Sequence, residues 1–219
     1  MFTAITKPLF LEEEFRAEFG NVVEELTARS NNHFRHLSLA LRKEYGFSVL
    51  TDQERLGLID NVVLDDIKSH YKNTHISSNM RFVIAGKITP ERRKALKAIL
   101  GNVELEKGDG RIALPKETPS TLTKPLYIHN PSVENLYFYV DTFLKRCIDD
   151  SERYALNLIN TILTETLYSR ILGTAREKGL VYGMSSGTGQ TRQSTDWWFG
   201  TQVMPKNTEQ LFEIMKKEL

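Results

Sequence analysis

One cysteine stands in 219 residues, Cys147, so neither a disulfide framework nor a multi-cysteine zinc site is available from this sequence. It reads as a buried small hydrophobe or an idle thiol. No apolar run approaches the ~20 residues that a membrane-spanning helix requires, and none is expected to enter a membrane. The opening, MFTAITKPLF, has no basic n-region and no long apolar h-region, so no secretory signal is expected and a reducing cytoplasm is the default compartment. Excess charge is missing too. A formal net charge of +1 gives no reason to expect nucleic acid or an anionic surface as partner. What remains, 40% hydrophobic and 26% charged residues, is the composition of an ordinary globular protein with enough chain to bury a core.

Periodicity supplies the elements. Phe15, Phe19, Val22 and Leu26 fall in steps of four, three and four, one stripe of an amphipathic helix from Leu11 to about Arg29. A second helix runs from about His33 to Tyr45 and stops at Gly46. Thr51 followed by Glu54 has the form of a capping box for a helix reaching about Ile59. Another covers about Leu64 to Tyr71. Met80–Gly86 is predicted as a short apolar strand, and Pro90 opens a helix to about Leu100. Residues 106–124, with glycine, proline, threonine and serine and no periodicity, read as a linker. Strands are predicted at Leu126–His129 and from Asn135 to Thr142, then a helix from Asp150 to Ile171 carrying Tyr154, Leu158, Ile162 and Leu167. Strands near Val181–Thr188 and Trp197–Val203 and a helix from Asn207 complete the chain. Trp197 and Trp198 alternate across their strand, so one should pack inward and the other meet a partner or a lid. The class is α+β, with antiparallel strands and helices packed on one face.

The first helix brings two carboxylates into line. Glu18 and Glu25 are seven residues apart, within ~20° of each other and about 10 Å apart along the axis. Both flank the apolar stripe, where a side chain is expected to be half-buried, whereas Glu24 points to solvent. Half-buried carboxylates are costly unless a cation or donor meets them. Ion pairs with a neighbouring Lys or Arg are the plain reading. Elsewhere the candidates are weaker. His33 and His36 could share a metal, but no third ligand is evident beside them. The glycines at 183, 187 and 189 lack a phosphate-loop lysine and read as hairpin glycines.

The segment Ser169–Ser186, SRILGTAREKGLVYGMSS, and the helix AEFGNVVEEL resemble the pitrilysin/insulinase family of metallopeptidases. LDDIKSHYKNTHISSNMRFVIAG also follows that family's first-domain pattern. The resemblance runs from about Phe10 to the end. It implies the back half of one family domain (1–105), a linker (106–124) and the front half of a second domain (125–219). It implies a zinc-dependent endopeptidase that cuts peptides or small proteins in a chamber between paired domains. Glu25 would correspond to the zinc ligand, Glu18 to a supporting carboxylate, and Arg176 and Tyr182 to residues that hold substrate backbone. A tyrosine hydroxyl can also stabilise a developing oxyanion. The zinc motif of that family is the inverted H-x-x-E-H. None of the five histidines here has a glutamate three positions on. Zinc is therefore expected only in a complete protein, and this chain alone is expected to be inactive. The alternative is a non-catalytic or scaffold subunit of the same family. Either way, a homodimer or a homologous partner subunit is expected.

Overall fold

A computed structural model describes residues 2–110, 113 and 116–219. Two compact units divide the chain, Met1–Glu25 with Leu56–Leu114 and Leu26–Arg55 with Pro115–Leu219. Compactness groups residues by contact, whereas the boundaries at 105 and 125 follow composition. The two partitions meet only inside the 106–124 stretch, of which 111–112 and 114–115 lie outside the described residues.

The helices are α1 (Phe2–Thr6), α2 (Glu12–Ser30), α3 (His33–Glu44), α4 (Asp52–Ile59), α5 (Leu64–Thr74) and α6 (Pro90–Gly101), followed by β1 (Leu136–Leu144). After β1 come α7 (Asp150–Asn160), a π turn at Thr161–Glu165, α8 (Arg170–Glu177), β2 (Ser185–Gln190), β3 (Thr195–Val203) and α9 (Thr208–Glu218). Local chemistry sets the starts. Asn32 caps α3 by accepting from the Arg35 amide at 3.0 Å. The expected capping box opens α4: the Glu54 amide donates to the Thr51 hydroxyl at 3.1 Å, and the Thr51 amide donates to the Glu54 carboxylate at 2.8 Å. Lys43 also meets Glu54, which holds that carboxyl down at about 2. Thr89 caps α6 with Pro90 in its first turn, and Asp149 with Glu152 forms a second capping box at α7.

In the first unit the α2 stripe is only partly covered. Phe15, Phe19 and Val22 line an apolar cleft of about 950 Å³ with Leu9, Phe10 and Ile67. Leu9 is 80% exposed. Among the described residues of this unit, Ile76 is the one apolar side chain that is buried. The unit is tied by polar and ring contacts: the Tyr71 hydroxyl donates to the Ile5 carbonyl at 2.7 Å, and the rings of Phe10 and Tyr71 meet edge-on at 5.2 Å.

The second unit is built on an antiparallel sheet of order β1-β3-β2. Asp141 lies opposite Trp198 and Gly189 opposite Asp196. One face of the sheet packs on α8 and α9 around Ile171, Leu172, Phe199, Leu211 and Met215. Leu136, Phe138 and Val140 belong to that face by the two-residue alternation of a strand. The opposite face carries α3, whose Phe34 meets the Tyr137 ring edge-on at 5.4 Å. The α+β class stands as expected, with α3 as an addition on the second face.

Four elements differ from the sequence reading. Met80–Gly86 and Leu126–His129 form no strand, because an apolar run becomes a strand only when another backbone pairs with it. Val83, in the first of these, is 92% exposed. The helix expected from Asp150 to Ile171 is interrupted after Asn160 by the π turn and by extended backbone at Thr166. There the Thr164 hydroxyl donates to the Asn160 carbonyl at 3.0 Å, a side chain competing for the backbone acceptor. Tyr154 and Leu158 consequently lie exposed. The strand expected from Val181 begins only at Ser185. Cys147 is exposed, not a buried hydrophobe. Trp197 faces the core, where its indole N–H donates to the Asn160 side chain at 2.9 Å, and Trp198 stacks on Tyr139 at 5.5 Å.

Candidate functional site

The four residues singled out by sequence fall into two pairs, each on its own element. Glu18 and Glu25 share α2. Both are exposed, which corrects the expectation that they are half-buried. The stripe they flank borders an open cleft instead of a packed core, so water reaches their side of the helix. Glu18 accepts from the Asn21 amide group at 3.5 Å and lines the cleft beside Glu14. Exposed glutamates carry no desolvation penalty, and their presence therefore gives no argument that a cation is required.

Arg176 and Tyr182 are brought together. Arg176 closes the last turn of α8, and Gly179, at φ +66°, reverses the chain after it. Leu180 and Val181 bury into the core, which directs Tyr182 outward. The guanidinium donates to the Tyr182 carbonyl and lies 5.1 Å from the centroid of its ring. Tyr182 is 88% exposed and Arg176 is exposed beside it. A planar donor fork and a phenol thus stand next to each other on the surface. Arg176 uses one donor internally and keeps others that suit a backbone carbonyl or a carboxylate.

Two carboxylates about 10 Å apart along a helix cannot share one ion, and a protein-bound zinc takes at least three protein ligands. His33, His36 and His129 line one pocket of about 340 Å³ in the second unit. Among the described residues, however, no three His, Cys, Asp or Glu side chains are placed to hold an ion. The described residues do not by themselves make a zinc site.

A further cluster had not been singled out. Asp141 and Asp196, from β1 and β3, converge on Arg42 of α3. The Arg42 Nη2 lies 2.9 Å from Asp196 and 3.7 Å from Asp141. Both aspartates are buried. No donor reaches either carboxylate oxygen of Asp141 in full hydrogen-bond geometry. Burial pushes its carboxyl up to about 7, with Arg42 pulling it down and Asp196 adding to the rise. Burial likewise carries the Tyr139 phenol up to about 12. The available signal was an aspartate inside an aromatic strand, LYFYVDTFL.

No curated protein matches the sequence. Residues 61–219 match the family model described as the peptidase M16 inactive domain. Among solved structures, a peptidase M16 inactive domain from Pseudomonas fluorescens is 18% identical, with a TM-score of 0.76 over 99% of this chain and 54% of that one. A protease from Helicobacter pylori is 16% identical, with a TM-score of 0.75 over 94% and 52%. The periplasmic protease PqqL from Escherichia coli is 15% identical, with a TM-score of 0.54 over 94% and 24%. The chain spans about half the length of the first two. At these identities the structures establish a shared fold, and the family match covers most of the sequence. Together with the resemblance to pitrilysin and insulinase, this makes the chain a member of the M16 peptidase family, in the group described as its inactive domain.

Proposed function

We propose that this chain is a peptide-holding part of a zinc endopeptidase of the pitrilysin/insulinase type, and that by itself it cleaves nothing. The observation that carries the reading is the exposed Arg176–Tyr182 pair on a chain of this family. Arg176 presents N–H donors to a peptide carbonyl or carboxylate, and the Tyr182 ring and hydroxyl flank the same point. Metal ligands of the histidine type would come from another polypeptide segment, with Glu25 offering one carboxylate and Glu18 supporting it. A homologous partner subunit or a second copy suits this division of labour. Two fold neighbours are described as proteases, and this chain covers 52% of one and 24% of the other.

A second reading is a scaffold subunit with no part in substrate contact. The family description as an inactive domain favours it. Titrating the whole chain with a fluorescent peptide separates the two. Saturable binding that weakens in Arg176→Ala supports the peptide-holding role, and binding indifferent to Arg176 and Tyr182 leaves the scaffold. Hydrolysis of a quenched peptide by this chain alone, with zinc retained through dialysis, would overturn both.

A further inference from the structure

The second unit holds a charge imbalance that the peptide-holding reading does not use. Asp141 sits on the face of β1 that carries α3, with its side chain fully buried. Asp196 stands on the neighbouring strand, almost as deeply buried. One guanidinium serves both, and it is not shared evenly. The Arg42 Nη2 makes a hydrogen bond of 2.9 Å to Asp196 and stays 3.7 Å from Asp141. Two neighbouring rings pack against it on one side, its Cζ lying 5.7 Å from the centroids of Phe47 and of Phe143. With both aspartates ionised the cluster carries a net charge of −1 away from water. A missing positive charge must be supplied. Both oxygens of Asp141 are closed to solvent; the adjacent Thr142 amide pulls its carboxyl down, but no donor reaches either oxygen in full hydrogen-bond geometry.

We propose that Arg42, Asp141 and Asp196 form a proton-operated latch between α3 and the sheet, closed while Asp141 is protonated and loosened when it ionises. Protonated, Asp141 is neutral and Arg42 is committed to Asp196. Ionised, it becomes a second buried carboxylate competing for a fixed guanidinium. The strain falls on α3 because Arg42 belongs to that helix. Tyr45, just past the end of α3, donates its hydroxyl to the Asp141 backbone carbonyl at 3.1 Å, a second contact between the helix end and β1. The groups facing Asp141 are Arg42 from α3, Asp196 from β3, the Tyr45 phenol and the Tyr139 phenol on its own strand. Both phenols are raised, so neither supplies charge near neutrality.

The direction follows from linkage. The ordinary carboxyl value is 3.8, and burial raises it here to about 7. Between those values the folded state holds a proton that the open state releases, so closure weakens as pH rises through the window and levels above it. From pH 6 to pH 8 the opening of α3 should increase about tenfold.

Amide hydrogen exchange of the full chain at pH 6 and pH 8, corrected for the intrinsic rate, tests this. The expected result is an approximately tenfold increase in opening of α3 amides and no comparable change in the β2–β3 pairing. Asp141→Asn, which cannot titrate, should abolish the increase. Asp196→Asn should free Arg42 for Asp141 and move the transition to lower pH. His33 and His36 also lie on α3 and are kept in both variants. An unchanged pH response in Asp141→Asn would therefore assign the effect to them and overturn the latch. Should that variant fail to fold, carbon-13 titration of the Asp141 carboxyl in the native protein decides. A midpoint near 7 supports the proposal, and a midpoint below about 5 overturns it.

Discussion

The Arg176 guanidinium donates to the carbonyl of Tyr182 and covers the ring of the same residue, 5.1 Å from its centroid. One arginine thereby sets both the backbone and the side chain of the tyrosine six residues on. The turn between them is closed by Gly179 and anchored by Leu180 and Val181 in the core. The pair is rigid at its root and exposed at its tip, which is the form of a surface contact prepared for a ligand.

Arg176→Ala should have little effect on folding and a larger effect on peptide affinity. An exposed cation–π contact contributes about 0.5–1 kcal/mol. A hydrogen bond from a charged donor to a bound peptide contributes about 1.5–3 kcal/mol, roughly tenfold or more in Kd. Thermal denaturation and peptide titration of the same sample measure the two. Tyr182→Phe keeps the ring and should leave the melting temperature where it is.

Gly173→Ala tests the packing behind that pair. A Cβ at Gly173 would lie 2.6 Å from the Leu167 carbonyl oxygen, a backbone atom that cannot swing aside. Alanine in an open helix would gain about 1 kcal/mol over glycine. Here the clash should reverse the sign, with a loss of about 1–3 kcal/mol. The midpoint of urea unfolding at unchanged slope is the measurement.

The contrast between the two units can be read by truncation. Phe199 is fully buried among α8 and α9, and Phe199→Ala should destabilise the second unit by about 3–5 kcal/mol. Val22 lines the open cleft, and Val22→Ala should cost under about 1 kcal/mol.

Acid should act on the start of α4. The Lys43 contact and the Thr51 hydrogen bonds hold the Glu54 carboxyl down at about 2, against an ordinary 4.5. A depressed carboxyl contributes stability that is complete above 4.5 and is lost as pH falls towards about 2. Glu54→Gln should flatten that part of the acid-stability profile. Circular dichroism followed between pH 5 and pH 2 would show it.

Elements defined by contacts within themselves were legible in the sequence. The α2 stripe, the helices opening near His33 and at Pro90 and the Thr51–Glu54 box all depend on residues close in sequence. Elements that depend on a distant partner were not. Residues 80–86 have the composition of a strand, but a strand requires a second backbone to pair with it. The break after Asn160 arises from hydroxyls bonding to the backbone in a run that also has a helical period. At the candidate site Arg176 and Tyr182 were singled out by the family resemblance, and their contact is read from the structure. The exposure of Glu18 and Glu25 could not follow, since periodicity gives the face of a helix but not whether anything covers it. Asp141 was hidden for the same reason: alternation placed it opposite the apolar face, and only α3 makes that face buried.

Peptide binding by the intact chain, measured by fluorescence anisotropy with wild type and Arg176→Ala in parallel and with a quenched copy of the peptide monitored for cleavage, tests the central claim most directly. The account predicts saturable binding by the wild type, at least tenfold weaker binding by the variant, and no cleavage by either. Equal binding by the two proteins, or hydrolysis by the wild type alone, would contradict it.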